Sequence, residues 1–157
     1  LLASDFCSWL STKVIEHDAF FNCLSLKNVK LSNSLEIIGE QAFADCTNLM
    51  NINIAKSLKQ IDANAFMLCM DMNNIFLDGD INDWMNVKLV NNYSHPLGYS
   101  SGGVYSFDNE NNEYIEITNI ELSKDLERLD TYNIAFFNNI VIKRTATSHL
   151  SNIFIRF

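Results

Sequence analysis

Leu49-Met-Asn-Ile52-Asn-Ile54, continuing as Ala55-Lys-Ser-Leu58-Lys-Gln-Ile61-Asp-Ala-Asn-Ala65-Phe66-Met-Leu-Cys69, is the stretch that decides the fold of this chain. Its first six residues alternate in polarity. Ile52 and Ile54 share one face of an extended segment, and Asn51 and Asn53 share the other. The part ending in Ala-Phe-x-x-Cys turns apolar side chains inward over one helical or irregular turn.

The stretch recurs with a step of 23 residues. Ala19-Phe20, Ala42-Phe43 and Ala65-Phe66 keep it, as do Cys23, Cys46 and Cys69. So do Val29, Ile52 and Ile75, then Leu31, Ile54 and Leu77, and Ile15, Ile38 and Ile61, with Leu35, Leu58 and Ile81 ahead of each new turn. A unit this short cannot bury its apolar face alone. Stacking equivalent units sets their strands side by side, roughly 4.8 Å apart, around one continuous core. The expected fold is an α/β right-handed solenoid with a parallel β-sheet on its inner face and short helical or irregular segments opposite.

The whole chain, 1–157, reads as one domain: regular units over about 14–81, an irregular spacer over about 82–118 and further units over about 119–157. Past Phe66 the register lapses. Asn119-Ile120-Glu121-Leu122 then repeats Asn51-Ile52-Asn53-Ile54, Leu126 matches Leu58, Leu129 matches Ile61, and Ala135-Phe136 arrives two residues late. Leu150-x-x-Ile153-x-Ile155 reads as one more strand, after an insertion of about eight residues. Inside the spacer, Gly102-Gly103, the run Val104 to Phe107, the polar Asp108 to Glu113, and Tyr114 to Ile117 read as two strands joined by a turn.

Composition narrows the function classes. Hydrophobic residues make up 48% and charged residues 19%, which excludes a disordered chain, and five Gly with one Pro exclude collagen-like and low-complexity readings. No apolar run reaches the roughly 20 residues needed to span a bilayer, so no membrane insertion is expected. A net charge of −8 repels polyanions, which argues against nucleic acid and acidic lipid. The chain opens on Leu1 rather than Met, as a processed product or fragment does, so a missing signal peptide says nothing about location.

The columns resemble the BspA-type leucine-rich repeats of bacterial surface proteins and some protists, whose unit runs roughly L-x-x-I-x-I-P-x-x-[LV]-x-x-I-G-x-x-A-F-x-x-C. Leu49, Ile52, Ile54, Leu58, Ile61, Ala65, Phe66 and Cys69 fill that pattern, and Ile38-Gly39 carries its I-G pair. The stretch Ile81-x-x-Trp84-x-x-Val87, Tyr93-Ser94-His95-Pro96-Leu97 and Val104-Tyr105 is similar to the irregular spacer of gut-bacterial members. Ser32, Ala55, Asp78 and Ser123 stand where the family has Pro, and Glu16, Asp62 and Asp130 where it has Gly. The resemblance spans residues 14 to 136. It implies a non-catalytic, extracellular or cell-surface binding module of a bacterial protein, with a host matrix or cell-surface protein as partner and the inner sheet face as contact. The alternatives are structural spacer repeats in a longer stalk and, more remotely, a hydrolase with an unrecognised site.

Asparagine stands just before the first buried strand residue in five places: Asn28, Asn51, Asn74, Asn119 and Asn152. Two positions on stand Lys30, Asn53, Phe76, Glu121 and Phe154. All ten are expected on one outward sheet face, where stacked amides bond along the ladder and exposed phenylalanines serve as contact anchors. Cys23, Cys46 and Cys69 read as a buried column of free thiols, and Cys7, outside the frame, as an exposed one. Their spacings fit no zinc pattern. Asp78-x-Asp80-x-Asn82 begins like a calcium loop, but Asp83 occupies the position that needs Gly and Leu89 the one that needs Glu. His17, His95 and His149 lie far apart, and no hydrolase, zinc-protease or nucleotide motif occurs. No enzyme activity, metal or cofactor is expected. Trp9 and Trp84 read as cap and spacer packing, and His95-Pro96 as a turn.

Overall fold

The computed structural model describes residues 12–100, 102–122, 131–134 and 141–144. Its elements in chain order are β1 (Val14–Ile15), β2 (Asn28–Lys30), β3 (Ile37–Ile38), β4 (Asn51–Ile54), β5 (Gln60–Ile61), β6 (Asn74–Leu77), α1 (Ile81–Met85), β7 (Lys88–Leu89), β8 (Gly103–Asp108), β9 (Glu113–Glu116), β10 (Asn119–Leu122), α2 (Thr131–Ile134) and β11 (Val141–Arg144). The chain is a solenoid of stacked coils. In the broad ladder β2, β4, β6 and β8 run parallel, and Val29, Ile52, Ile75 and Val104 face one another from rung to rung. All four are buried. The alternation in the sequence therefore places each strand's apolar face inward.

A second, narrower parallel ladder joins β1, β3, β5 and β7. It aligns Ile15, Ile38, Ile61 and Leu89, and the sequence pattern did not mark these positions as strands. Two residues per rung are too few to show a period of two. The Ala-Phe segments form a third side of irregular, consecutive turns, in which bonds within the coil, such as the Ala42 amide to the Gly39 carbonyl, alternate with bonds from coil to coil. The amide of Phe20 donates to the carbonyl of Ala42 and that of Phe43 to Ala65, both at 2.8 Å. Left-handed backbone twice per coil aims those amides along the stack: at Asp18, Gln41 and Asn64, and again at Asn22, Asp45 and Leu68.

The spacer is a rung with extra chain in it. From Asn74 to its ladder partner Gly103 is 29 positions, against 23 from Asn51 to Asn74. The added residues include α1, whose cap explains the calcium-like motif: the Asp80 carboxylate accepts from the amides of Asn82 and Asp83, while Asp83 accepts from the Asp80 amide. Gly102 is required by close approach, since any Cβ there would collide with the carbonyl of Asn73. The two strands expected in the spacer are β8 and β9, an antiparallel hairpin at the end of the broad sheet. Beyond it, β10 pairs in parallel with β11, aligning Asn119 with Val141. The rung paired with β10 thus begins at Val141 rather than after an eight-residue insertion; the strand expected around Ile153 lies outside the described residues.

Phe43 and Phe66, both buried, stack with half-buried Phe20, with ring centroids 5.1 and 5.3 Å apart and planes within 9°. Cys46 and Cys69 are fully buried beside them and their thiols donate to the carbonyls of Phe20 and Phe43, while Cys23 is half-buried. Trp84 is buried as spacer packing, with His95 edge-on at 5.3 Å, and Asn133 of α2 bonds it to the next coil. Cys7, Trp9 and His149 lie outside the described residues.

Candidate functional site

The outward face of the broad ladder presents two columns. Asn28, Asn51 and Asn74 form the first. The Asn51 amide nitrogen donates to Asn28 at 2.7 Å, and that of Asn74 donates to Asn51 at 2.9 Å. This one-way amide chain follows from placing identical side chains in register on adjacent strands. Among the described residues it holds three of the five asparagines. Gly103 takes the fourth rung, Asn119 belongs to the separate β10–β11 sheet, and Asn152 lies outside the described residues. The physical reason is β9, which pairs with the free edge of β8 and ends the broad sheet there.

Lys30, Asn53, Phe76 and Tyr105 form the second column. Lys30 is exposed. Glu121 lies in β10, opposite Lys143, and Phe154 lies outside the described residues. Phe76 does not stand bare as an anchor. It is half-buried in an aromatic cluster, with Tyr105 at 5.3 Å and the edge-on ring of Tyr114 at 4.9 Å; Phe107 packs on Tyr114 at 5.2 Å. The hairpin thus folds its own aromatic residues onto the strip.

Tyr114 also ties two rungs together. Its hydroxyl donates to Asp78 Oδ1 at 2.9 Å and accepts from the Asn53 amide at 2.9 Å. Burial, followed by the hydrogen bond to Asp78 and the charge of that carboxylate, pushes the phenol up to about 12. It stays a neutral donor at any physiological pH. Beside the cluster, Asp80, Ser106 and Glu116 line an open depression of about 300 Å³.

Tyr105, Phe107, Tyr114 and Glu116 were missed in the sequence. The signal was present in Val104-Tyr105, which repeats Ile75-Phe76 once a coil is allowed six extra residues. A second feature has no precursor in the sequence reading. Phe21, Leu24, Leu68 and Met70 are exposed on or just after the turns that carry the Ala-Phe segments, while Met50, Val90, Tyr93 and Ile115 are exposed elsewhere.

Three groups with chemical potential, Cys46, Cys69 and His95, are buried. Burial raises the Cys46 thiol to about 11 and raises Cys69 further, which suppresses the thiolate. Burial lowers the His95 imidazole to about 3. Among the described residues no group of three or more His, Cys, Asp or Glu is placed to hold a metal ion, and no helix is long and apolar enough to cross a membrane.

The BspA type leucine rich repeat region model matches residues 13–142 as six copies. Among solved structures, the chain is similar to the T. pallidum leucine rich repeat protein, at 21% identity and a TM-score of 0.44 over 71% of this chain and 52% of that one. It is also similar to a leucine-rich repeat protein from Bacteroides ovatus, at 23% identity and a TM-score of 0.47 over 85% of this chain and 28% of that one. A leucine rich cell surface protein from Faecalibacterium prausnitzii aligns at 21% identity and a TM-score of 0.43, over 88% and 37%. The chain spans about half the length of the first of these and less of the others. No curated protein matches it.

Proposed function

This chain belongs to the BspA type leucine rich repeat family, and we propose that it is a non-catalytic protein-binding module whose contact surface is the outward face of the broad ladder. One observation carries the reading: successive coils hold Lys30, Asn53, Phe76 and Tyr105 in register on a shared sheet, next to a hydrogen-bonded amide column. A flat strip of pre-ordered side chains loses little conformational entropy on binding, which is what a recognition surface requires. We place the module on a secreted or cell-surface bacterial protein, adhering to host matrix or to other cells.

The test is surface plasmon resonance over immobilised extracellular-matrix extract, comparing the chain with a Lys30→Ala, Asn53→Ala, Tyr105→Ala variant. A contact face predicts loss of binding in the folded variant. Binding by both proteins alike removes the reading, and binding by neither leaves the coils as a spacer.

The exposed apolar residues favour a second reading, contact through the turn edge, because exposed hydrophobic strips mark interfaces. Leu24→Ser with Met70→Ser would then abolish binding while the face variant keeps it.

A further inference from the structure

We propose that the aromatic end of the sheet face recognises an arginine-bearing extended segment of the protein partner; this rests on the reading of that face as the contact surface. Along the second column the chemistry changes from cation to aromatic, Lys30 to Tyr105. Tyr105 lies beside Phe76 and directly across the β8–β9 pairing from Glu116, which is exposed. A guanidinium is planar. It stacks on a tyrosine face while pairing with an adjacent carboxylate, which an ammonium group does less well.

The charge distribution points to the same ligand. From Asp78 to Glu121 the chain carries eight acidic residues and one basic residue, Lys88, which sits in the narrow ladder. Residues 12–60 carry five of each. Among the described residues Asp83 has an ion-pair partner, Lys56 at 3.6 Å, and no cation lies within ion-pair distance of Asp78, Asp80 or Glu116. Rung spacing sets the partner's register. Lys30 and Tyr105 are three rungs apart, roughly 14 Å, which an extended peptide covers in about four residues. The fitting segment therefore has an acidic residue for Lys30 and an arginine four positions away, both on one side of the extended chain.

Fluorescence anisotropy with short labelled synthetic peptides tests this: one carrying Glu-x-x-x-Arg, and one with the arginine replaced by neutral citrulline. The arginine peptide should bind about tenfold more tightly, and Tyr105→Leu or Glu116→Gln should each remove about that factor. Glu40→Gln, the same charge change at an exposed site on another coil, should leave binding intact. Equal affinity for both peptides, no binding of either, or an equal loss in the Glu40 variant overturns the inference. Sensitivity of matrix binding to the face variant, with no peptide discrimination, overturns the arginine site alone; loss of both removes the contact face as well.

Discussion

Phe43 lies between Phe20 and Phe66 in a single stack, its ring 5.3 Å from that of Phe66 and inclined to it by 9°. The three rings belong to three successive coils, so each coil's interior is completed by its neighbours. Phe43→Ala should cost roughly 3–5 kcal/mol, the range for truncating a buried aromatic side chain. Urea unfolding measures it, and an unchanged midpoint would contradict the stack.

The amide column makes Asn51 different from its ends. It donates to Asn28 and accepts from Asn74, so Asn51→Ala breaks two bonds in a half-buried setting where Asn28→Ala breaks one. The expected losses are about 2 and about 1 kcal/mol, from typical net values per bond. Equal losses would mean that the bonds are not coupled through Asn51.

Leu68 occupies left-handed backbone, φ 60°, where the equivalent coils use Asn22 and Asp45. Asparagine tolerates that conformation and leucine adopts it at a cost, while the leucine side chain, 37% exposed, supplies only partial packing in return. Leu68→Asn should therefore stabilise the chain by about 0.5–1 kcal/mol, part of the usual left-handed penalty. Thermal unfolding with no increase would show that the Leu68 side chain has a packing role.

His95 should make stability fall in acid. Its folded value is lowered from 6.5 to about 3 by burial, so the unfolded chain takes up a proton that the folded chain refuses. The contribution is complete above pH 6.5 and is lost as pH falls toward 3, with a slope of up to about 1.4 kcal/mol per pH unit. His95→Gln keeps an acceptor for the Leu97 amide and should flatten this part of the profile. An identical slope in the variant would assign the acid sensitivity to carboxylates.

Cys46 acts at the other end of the scale. Its folded value is raised from 9.0 to about 11, so its contribution is present below pH 9 and is lost as pH rises to about 11. Below pH 9 Cys46 and Cys69 should react with a thiol reagent only on unfolding, which stopped-flow labelling in urea would show. Rapid labelling of both in the native chain would place them outside the core.

Much of the architecture could be read from the chain alone. Regular coils stack by equivalence, so Val29, Ile52 and Ile75 announce a shared interior through their spacing. The rung at Val104 was harder to see, because the coil before it, which holds α1, is six residues longer than the others and loop length is nearly free of thermodynamic constraint. The narrow ladder was not visible either, since Ile37–Ile38 and Gln60–Ile61 become strands only through their neighbours' backbone bonds.

The candidate face divides along the same line. The apolar step of 23 residues determined that Asn28, Asn51 and Asn74 share a surface, because identical coils in register leave their side chains no other side of the strand. Only the tertiary structure decided that the asparagine column ends at Gly103 and that Tyr114 reaches Asn53 and Asp78. Those contacts join residues with no periodic relation, and they depend on β9 turning back along β8 instead of continuing the stack.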